Sequence, residues 1–141
     1  MKFPYLKIPL FAIPERQFIF KPVIPLKLIN EQNKSKMINL HGLIDSGADA
    51  TILSAEYGEA IGLEVKVGKA EKFSGVGGGE IAVYFHEVVF NVGGYEWTAE
   101  VGFTYDKGVV AILGQVGFFE KFRIVFDYPK KTIEITPKSS W

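Results

Sequence analysis

The chain contains no cysteine. Thiol nucleophiles, disulfide frameworks and Cys-ligated zinc are therefore all excluded. It has only two histidines, His41 and His86, too few for a convincing metal site. No nucleophile motif accompanies them that would call for a histidine base, so both read as surface or strand residues. Neither sign of charge is in excess. Sixteen basic and sixteen acidic residues cancel, and nothing argues for a nucleic-acid or membrane-surface partner. No window reaches the roughly 20 apolar residues of a membrane span. The N-terminal stretch is interrupted by Pro4, Pro9 and Pro14 and has no apolar run ending in a small-residue cleavage site. This is the pattern expected of a cytoplasmic chain, or of a domain cut from something longer.

What is present favours strands. Of 141 residues 48% are apolar, and aromatics make up 14% with twelve Phe, enough for a dense core in one domain spanning residues 1–141. Gly and Pro punctuate at short intervals between runs of Val, Ile, Phe, Tyr and Thr. Pro4, Pro9, Pro14, Pro22 and Pro25 make the first stretch extended and edge-like. Phe18 to Phe20, Val23 to Ile29 and Met37 to Ile44 read as strands. Ser54 to Gly62 is the best helix, with Ser54 as its N-cap and Gly62 as its stop. Gly93-Gly94 between two strand-like runs signals a hairpin, as does the turn Tyr128 to Lys131. Val109 to Leu113 reads as a short buried strand, and Gln115 to Phe122 as a second short helix. Phe118, Phe119, Phe122 and Phe126 are assigned to the core. The sum is a closed or nearly closed antiparallel β domain with one or two short helices.

The chemistry concentrates at Leu43-Ile44-Asp45-Ser46-Gly47-Ala48. An apolar strand ending on Asp-Ser-Gly places a carboxylate at a strand end, partly shielded from water. Gly47 permits close approach of another chain or a ligand. The tripeptide alone is also an ordinary β-turn composition. Three further features add to it. The run continues through Asp49 and Thr51, Ala111-Ile112-Leu113-Gly114 closes on a glycine downstream, and Ser74 to Gly79 forms a glycine-rich segment between them.

This set, in this order, closely resembles the retropepsins, the single-domain aspartic proteases of retroviruses and of related cellular and bacterial proteins. The resemblance runs from about Leu40 to Asp127, and residues 1–30 form an extension poorly matched to it. It implies an all-β, closed β-barrel of the acid-protease type with a flap hairpin. Asp45 would be the catalytic aspartate at the floor of a cleft between two protomers. Ser46 would cross-brace the two active-site loops, and Gly47, with Ala48 in the same loop, would line the cleft floor. Asp49 would bind substrate backbone. The flap would be Phe73 to Tyr84, with Val76, Gly77 and Gly78 at its tip. Val110 and Ile112 would wall side-chain pockets, and Gly114 would support the catalytic loop. No cofactor or metal is expected.

A physical argument for two chains stands beside the resemblance. Peptide hydrolysis needs a water activated as nucleophile and a proton delivered to the carbonyl oxygen. A carboxylate and a carboxylic acid side by side supply both, because two like charges about 3 Å apart do not both ionise. The chain has four aspartates, Asp45, Asp49, Asp106 and Asp127, and only Asp45 is followed by Ser-Gly. A two-fold dimer would place Asp45 opposite its own copy. One departure bears on that dimer. In retroviral members an arginine follows the downstream glycine and pairs with the acid that here is Asp49, whereas this chain has Gln115. A charged brace is thus replaced by at most a neutral hydrogen bond, worth about 1 kcal/mol. The expectation is a homodimeric aspartic endopeptidase acting on peptide or protein. Its alternatives are a retropepsin-like non-catalytic binding or dimerisation module, and an unrelated small β-barrel in which Asp-Ser-Gly is only a turn.

Overall fold

Alternating apolar residues with β-branched and aromatic side chains give twelve strands in the computed structural model, which describes residues 1–10, 15, 17–74 and 78–138. In chain order they are β1 (Lys2–Pro4), β2 (Leu6–Pro9), β3 (Phe18–Lys21), β4 (Val23–Ile29), β5 (Met37–Ile44) and β6 (Ile52–Ser54), followed by helix α1 (Ala55–Ala60). Then come β7 (Lys69–Ser74), β8 (Glu80–Val92), β9 (Tyr95–Thr104), β10 (Ala111–Leu113), β11 (Phe122–Asp127) and β12 (Thr132–Pro137). Single 3₁₀ turns lie at Val65–Val67 and Phe119–Lys121.

Seven strands form one sheet in the order β4-β5-β10-β6-β9-β8-β7, and β4 also pairs with β8. That extra pairing joins six of the strands into a ring, with β7 outside it on β8. Pro25 sits in this ring opposite His41. It is tolerated because β8 pairs only with Lys27 to Ile29 of β4, so the missing N–H at Pro25 falls where β4 has a single neighbour. A second sheet has the order β1-β12-β11, and β2 with β3 makes a third of two strands.

The pairing is not wholly antiparallel as expected. β10 runs parallel to β5, and β6 parallel to β9. Parallel neighbours need a crossover, and these two crossovers bring segments distant in sequence to the end of β5. The helix forms within the expected span. The Ser54 hydroxyl accepts from Glu56 N–H, and Gly62 takes φ +85° just beyond the helix.

The second expected helix, Gln115 to Phe122, does not form beyond the 3₁₀ turn. The N–H groups of Gln115 and Val116 are bound instead to the carbonyls of Ala48 and Asp49. Gly117 then takes φ +97°, a value outside the helical region. The buried strand is also shorter than Val109 to Leu113, because Val110 is exposed.

The core lies inside the ring and continues under the β1-β12-β11 sheet, through Ile24, Leu28, Leu53, Phe90, Phe103, Leu113, Ile133 and Ile135. An aromatic group closes one end. Trp97 meets Phe90, Tyr95, Phe118 and Phe122 at centroid distances of 4.9–6.0 Å, and its Nε1–H donates to Gly117 O at 2.9 Å. Phe118 and Phe122 are core residues as expected and Phe119 packs against the core, but Phe126 is exposed. It lies on β11, which has β12 on one side and no hydrogen-bonded neighbour on the other among the described residues.

Replacing Phe118, fully buried among these rings, by Ala is expected to lower unfolding free energy by about 3–5 kcal/mol. Urea denaturation followed by tryptophan fluorescence measures it.

Candidate active site

Asp45 follows the last residue of β5, half-buried, with Ser46 and Gly47 exposed after it. Its backbone N–H donates to Leu113 O at 3.0 Å, and its carbonyl accepts from Ala48 N–H at 3.2 Å. One carboxylate oxygen, Oδ1, accepts from Gly47 N–H at 2.9 Å. The carboxylate therefore caps its own turn. Ile44 N–H, one residue earlier, donates to Pro22 O at 2.9 Å. The carboxyl group thus stands on a backbone held from both flanks.

The other side of the loop is clamped to the segment after β10. Ala48 O accepts from Gln115 N–H at 2.9 Å and Asp49 O from Val116 N–H at 3.0 Å. A Cβ on Gly114 would lie 2.7 Å from Ala48 O and closer still to Ala50 O, so no other residue fits between the strands without moving backbone. Beneath them the hydroxyl of Thr51, fully buried, accepts from Gly114 N–H at 3.1 Å and donates to Val116 O at 2.9 Å. Gln115 Nε2 donates to Ser46 O at 2.8 Å. The glutamine is therefore tied to the Asp45 loop of its own chain and not to Asp49, whose side chain is exposed. Asp106 and Asp127 are committed elsewhere, each accepting from a backbone N–H in a turn at 2.9–3.1 Å.

The structure brings together Asp45, Ser46, Gly47, Ala48, Asp49 and Gly114. Ile112 is half-buried and lies in register beside Leu43 on β5 and Ile52 on β6. Paired residues project to one face, so these three make an apolar row next to the carboxylate. Val110 is exposed, and its carbonyl holds Ser54 N–H at 2.8 Å. It walls an open cleft of about 410 Å³ shared with Ser54, Tyr57, Thr104 and Tyr105. The Tyr105 phenol is pushed above its ordinary value by desolvation and then by the Glu59 carboxylate, to which its hydroxyl donates. The Asp45 loop does not line this cleft.

β7 and β8 form the two arms of the glycine-rich hairpin, paired from Lys69–Phe85 to Ser74–Glu80. Gly78 takes φ +86°, and a Cβ there would meet nothing within 4 Å among the described residues. Val76 and Gly77 lie outside the described residues. Thr51 stands in the run singled out from sequence, but the bonds of its buried hydroxyl could not be read there. Ile52 was not picked out, and shows itself only through the register that sets it beside Ile112.

Two substitutions test the clamp. Thr51→Val leaves Gly114 N–H buried without its acceptor and is expected to cost about 1–3 kcal/mol. Gly114→Ala forces a methyl group against two carbonyls, with a similar loss of about 1–3 kcal/mol. Chemical denaturation measures both, and wild-type stability in either would show that the two segments are not held in this way.

No family model matches the chain, and no curated protein matches it. Solved structures do. A retropepsin-like aspartic protease from Rickettsia conorii superposes with a TM-score of 0.60 at 17% identity, over 81% of this chain and 88% of that one. EIAV protease, solved with the inhibitor HBY-793, superposes with a TM-score of 0.50 at 18% identity, over 74% of this chain and 88% of that one. At these identities the likeness is one of fold, and on that likeness this all-β chain has the retropepsin-like fold.

Proposed function

We propose that this chain is one half of an aspartic endopeptidase, and that two copies related by a two-fold axis bring their Asp45 carboxyl groups together. The observation that carries the proposal is the position of Asp45 in a retropepsin-like fold. It is a half-exposed carboxylate at a strand end, on a loop held by Leu113, Gln115 and Val116. Within the chain no other aspartate is followed by Ser-Gly, so the second carboxyl group would come from a second copy.

The chemistry follows from a carboxyl pair that shares one proton. The ionised member takes a proton from a bound water while the water oxygen attacks the carbonyl carbon of the peptide. The protonated member gives its proton to the carbonyl oxygen, and a gem-diol forms. Proton transfer to the amide nitrogen and loss of one from the diol then break the C–N bond, giving an acid and an amine. The two apparent acidities belong to the pair. Leu43, Ile52 and Ile112 offer apolar side chains beside the carboxylate, which suits apolar residues flanking the cleaved bond. The β7–β8 hairpin, where a Cβ on Gly78 would meet nothing within 4 Å among the described residues, serves as the closing flap. Asp49 is placed to bind substrate backbone.

One observation favours a second reading, a retropepsin-like binding module without turnover. Gln115 is neutral and engaged with Ser46 of its own chain, and among the described residues Asp49 makes no ion pair.

Asp45→Asn keeps the shape of the side chain and removes the ionisable group. It is expected to lower cleavage of a mixed peptide library between pH 4 and 7 by a factor on the order of 10²–10⁴, with folding unchanged. Equal cleavage by wild type and variant would rule out the peptidase reading and leave the binding module.

A further inference from the structure

β2 and β3 form a two-stranded sheet that pairs with no other strand among the described residues. A lone hairpin is marginally stable in water, and this one carries apolar side chains on both faces, each with one exposed lysine. Its register sets Leu6 opposite Lys21, Lys7 opposite Phe20, Ile8 opposite Ile19 and Pro9 opposite Phe18. Opposed residues share a face and faces alternate along a strand. One face therefore carries Leu6, Ile8 and Ile19, and the other Phe18 and Phe20.

The phenylalanine face is partly covered by its own chain. Lys131 Nζ lies 5.2 Å from the Phe20 ring, Lys7 Nζ lies 3.8 Å from Phe18, and Tyr5 beside the hairpin meets Tyr128 edge-on at 5.8 Å. The other face, which also carries Lys21 at its edge, is only partly covered. Leu6 is 43% exposed and Ile8 and Ile19 are half-buried, and neither isoleucine belongs to the core cluster or packs against it among the described residues.

The hairpin also leads directly to the candidate active site. β3 ends at Lys21, and the carbonyl of the next residue, Pro22, receives Ile44 N–H beside Asp45. If two Asp45 loops meet on a two-fold axis, each hairpin is rooted next to that axis. The loops alone cannot hold such a dimer. A stable interface needs roughly 800 Å² from each partner, whereas residues 45–49 are five, and two of them are acids approaching their own copies. Gln115 supplies no charge to offset that repulsion. Apolar surface rooted near the axis is what the dimer requires, and the Leu6, Ile8 and Ile19 face provides it.

We propose that the β2–β3 hairpin is a dimerisation arm whose Leu6, Ile8 and Ile19 face docks on a second copy of this chain. The proposal rests on the half-site reading of Asp45. Sedimentation equilibrium of wild type, Leu6→Ser/Ile19→Ser and Val67→Ser tests it, Val67 being an exposed apolar residue of the 3₁₀ turn at Val65–Val67. The arm variant is expected to dimerise roughly tenfold or more weakly, with a melting temperature near that of wild type, while Val67→Ser follows wild type.

Because the chain has no cysteine, Leu6→Cys supplies a second readout that does not depend on the arm variant folding. The reaction of its single thiol with a maleimide is expected to slow as protein concentration rises through the dimer range, while that of Val67→Cys does not. A wild-type dimer with undiminished association of the arm variant, or with thiol reactivity in Leu6→Cys that does not change with concentration, overturns the arm and leaves the half-site standing. A strictly monomeric wild type overturns the half-site itself, and the arm with it. Protection of the Leu6→Cys thiol by a peptide substrate in dilute monomer overturns the proposal in favour of a substrate clamp.

Discussion

Gly114 and the Asp45 loop pass each other with no side chain between them, and everything else about the candidate site depends on that approach. The carbonyls of Ala48 and Ala50 lie where a Cβ would be. Contact this close lets backbone bind backbone, so Ala48 and Asp49 receive the N–H groups of Gln115 and Val116. Thr51 completes the arrangement from below, its hydroxyl satisfying a donor and an acceptor that burial would otherwise leave unpaired. The parallel strands β5 and β10 bring the two segments together, and the ring of strands holds them there. Asp45 is thus placed by main-chain geometry, which requires the glycine at 114 and the hydroxyl at 51.

That arrangement explains which features could be read from sequence. Asp45, Ser46, Gly47 and Gly114 stood out because their chemistry is local: a strand, an acid, a turn pair, and a glycine where chains must come close. Helix α1 was legible for the same reason, through the Ser54 cap and Gly62. The segment from Gln115 to Phe122 misled because Val116, Phe119 and Phe122 are spaced as on a helix. Its first two N–H groups are bound to a loop some 70 residues away in sequence, which no local pattern reveals. Phe126 looked like core by composition but sits on an edge strand. The parallel pairings, and with them the place of Ile52 beside Ile112, depend on how distant segments cross. The β2–β3 hairpin was hidden by its prolines, of which Pro9 falls within the paired stretch.

The chain distributes its apolar surface unevenly. The interior of the ring and the aromatic group around Trp97 are closed to solvent, whereas the N-terminal hairpin and β11 leave Leu6, Phe18, Val125 and Phe126 exposed. A chain of zero net charge gains no colloidal protection for such surface from overall repulsion between copies. Those residues lie in the hairpin and in an edge strand, away from the interior of the ring, so covering them would leave the main core unchanged.

The bond from Gln115 to Ser46 has a consequence for the conditions in which the loop keeps its shape. An ion pair at this place would weaken in salt and dissolve in acid, as its carboxylate took up a proton. An amide bound to a carbonyl has no such dependence. The bonds that Leu113, Gln115 and Val116 make with the loop are likewise neutral. The main-chain and amide bonds beneath Asp45 are therefore insulated from the ionic medium.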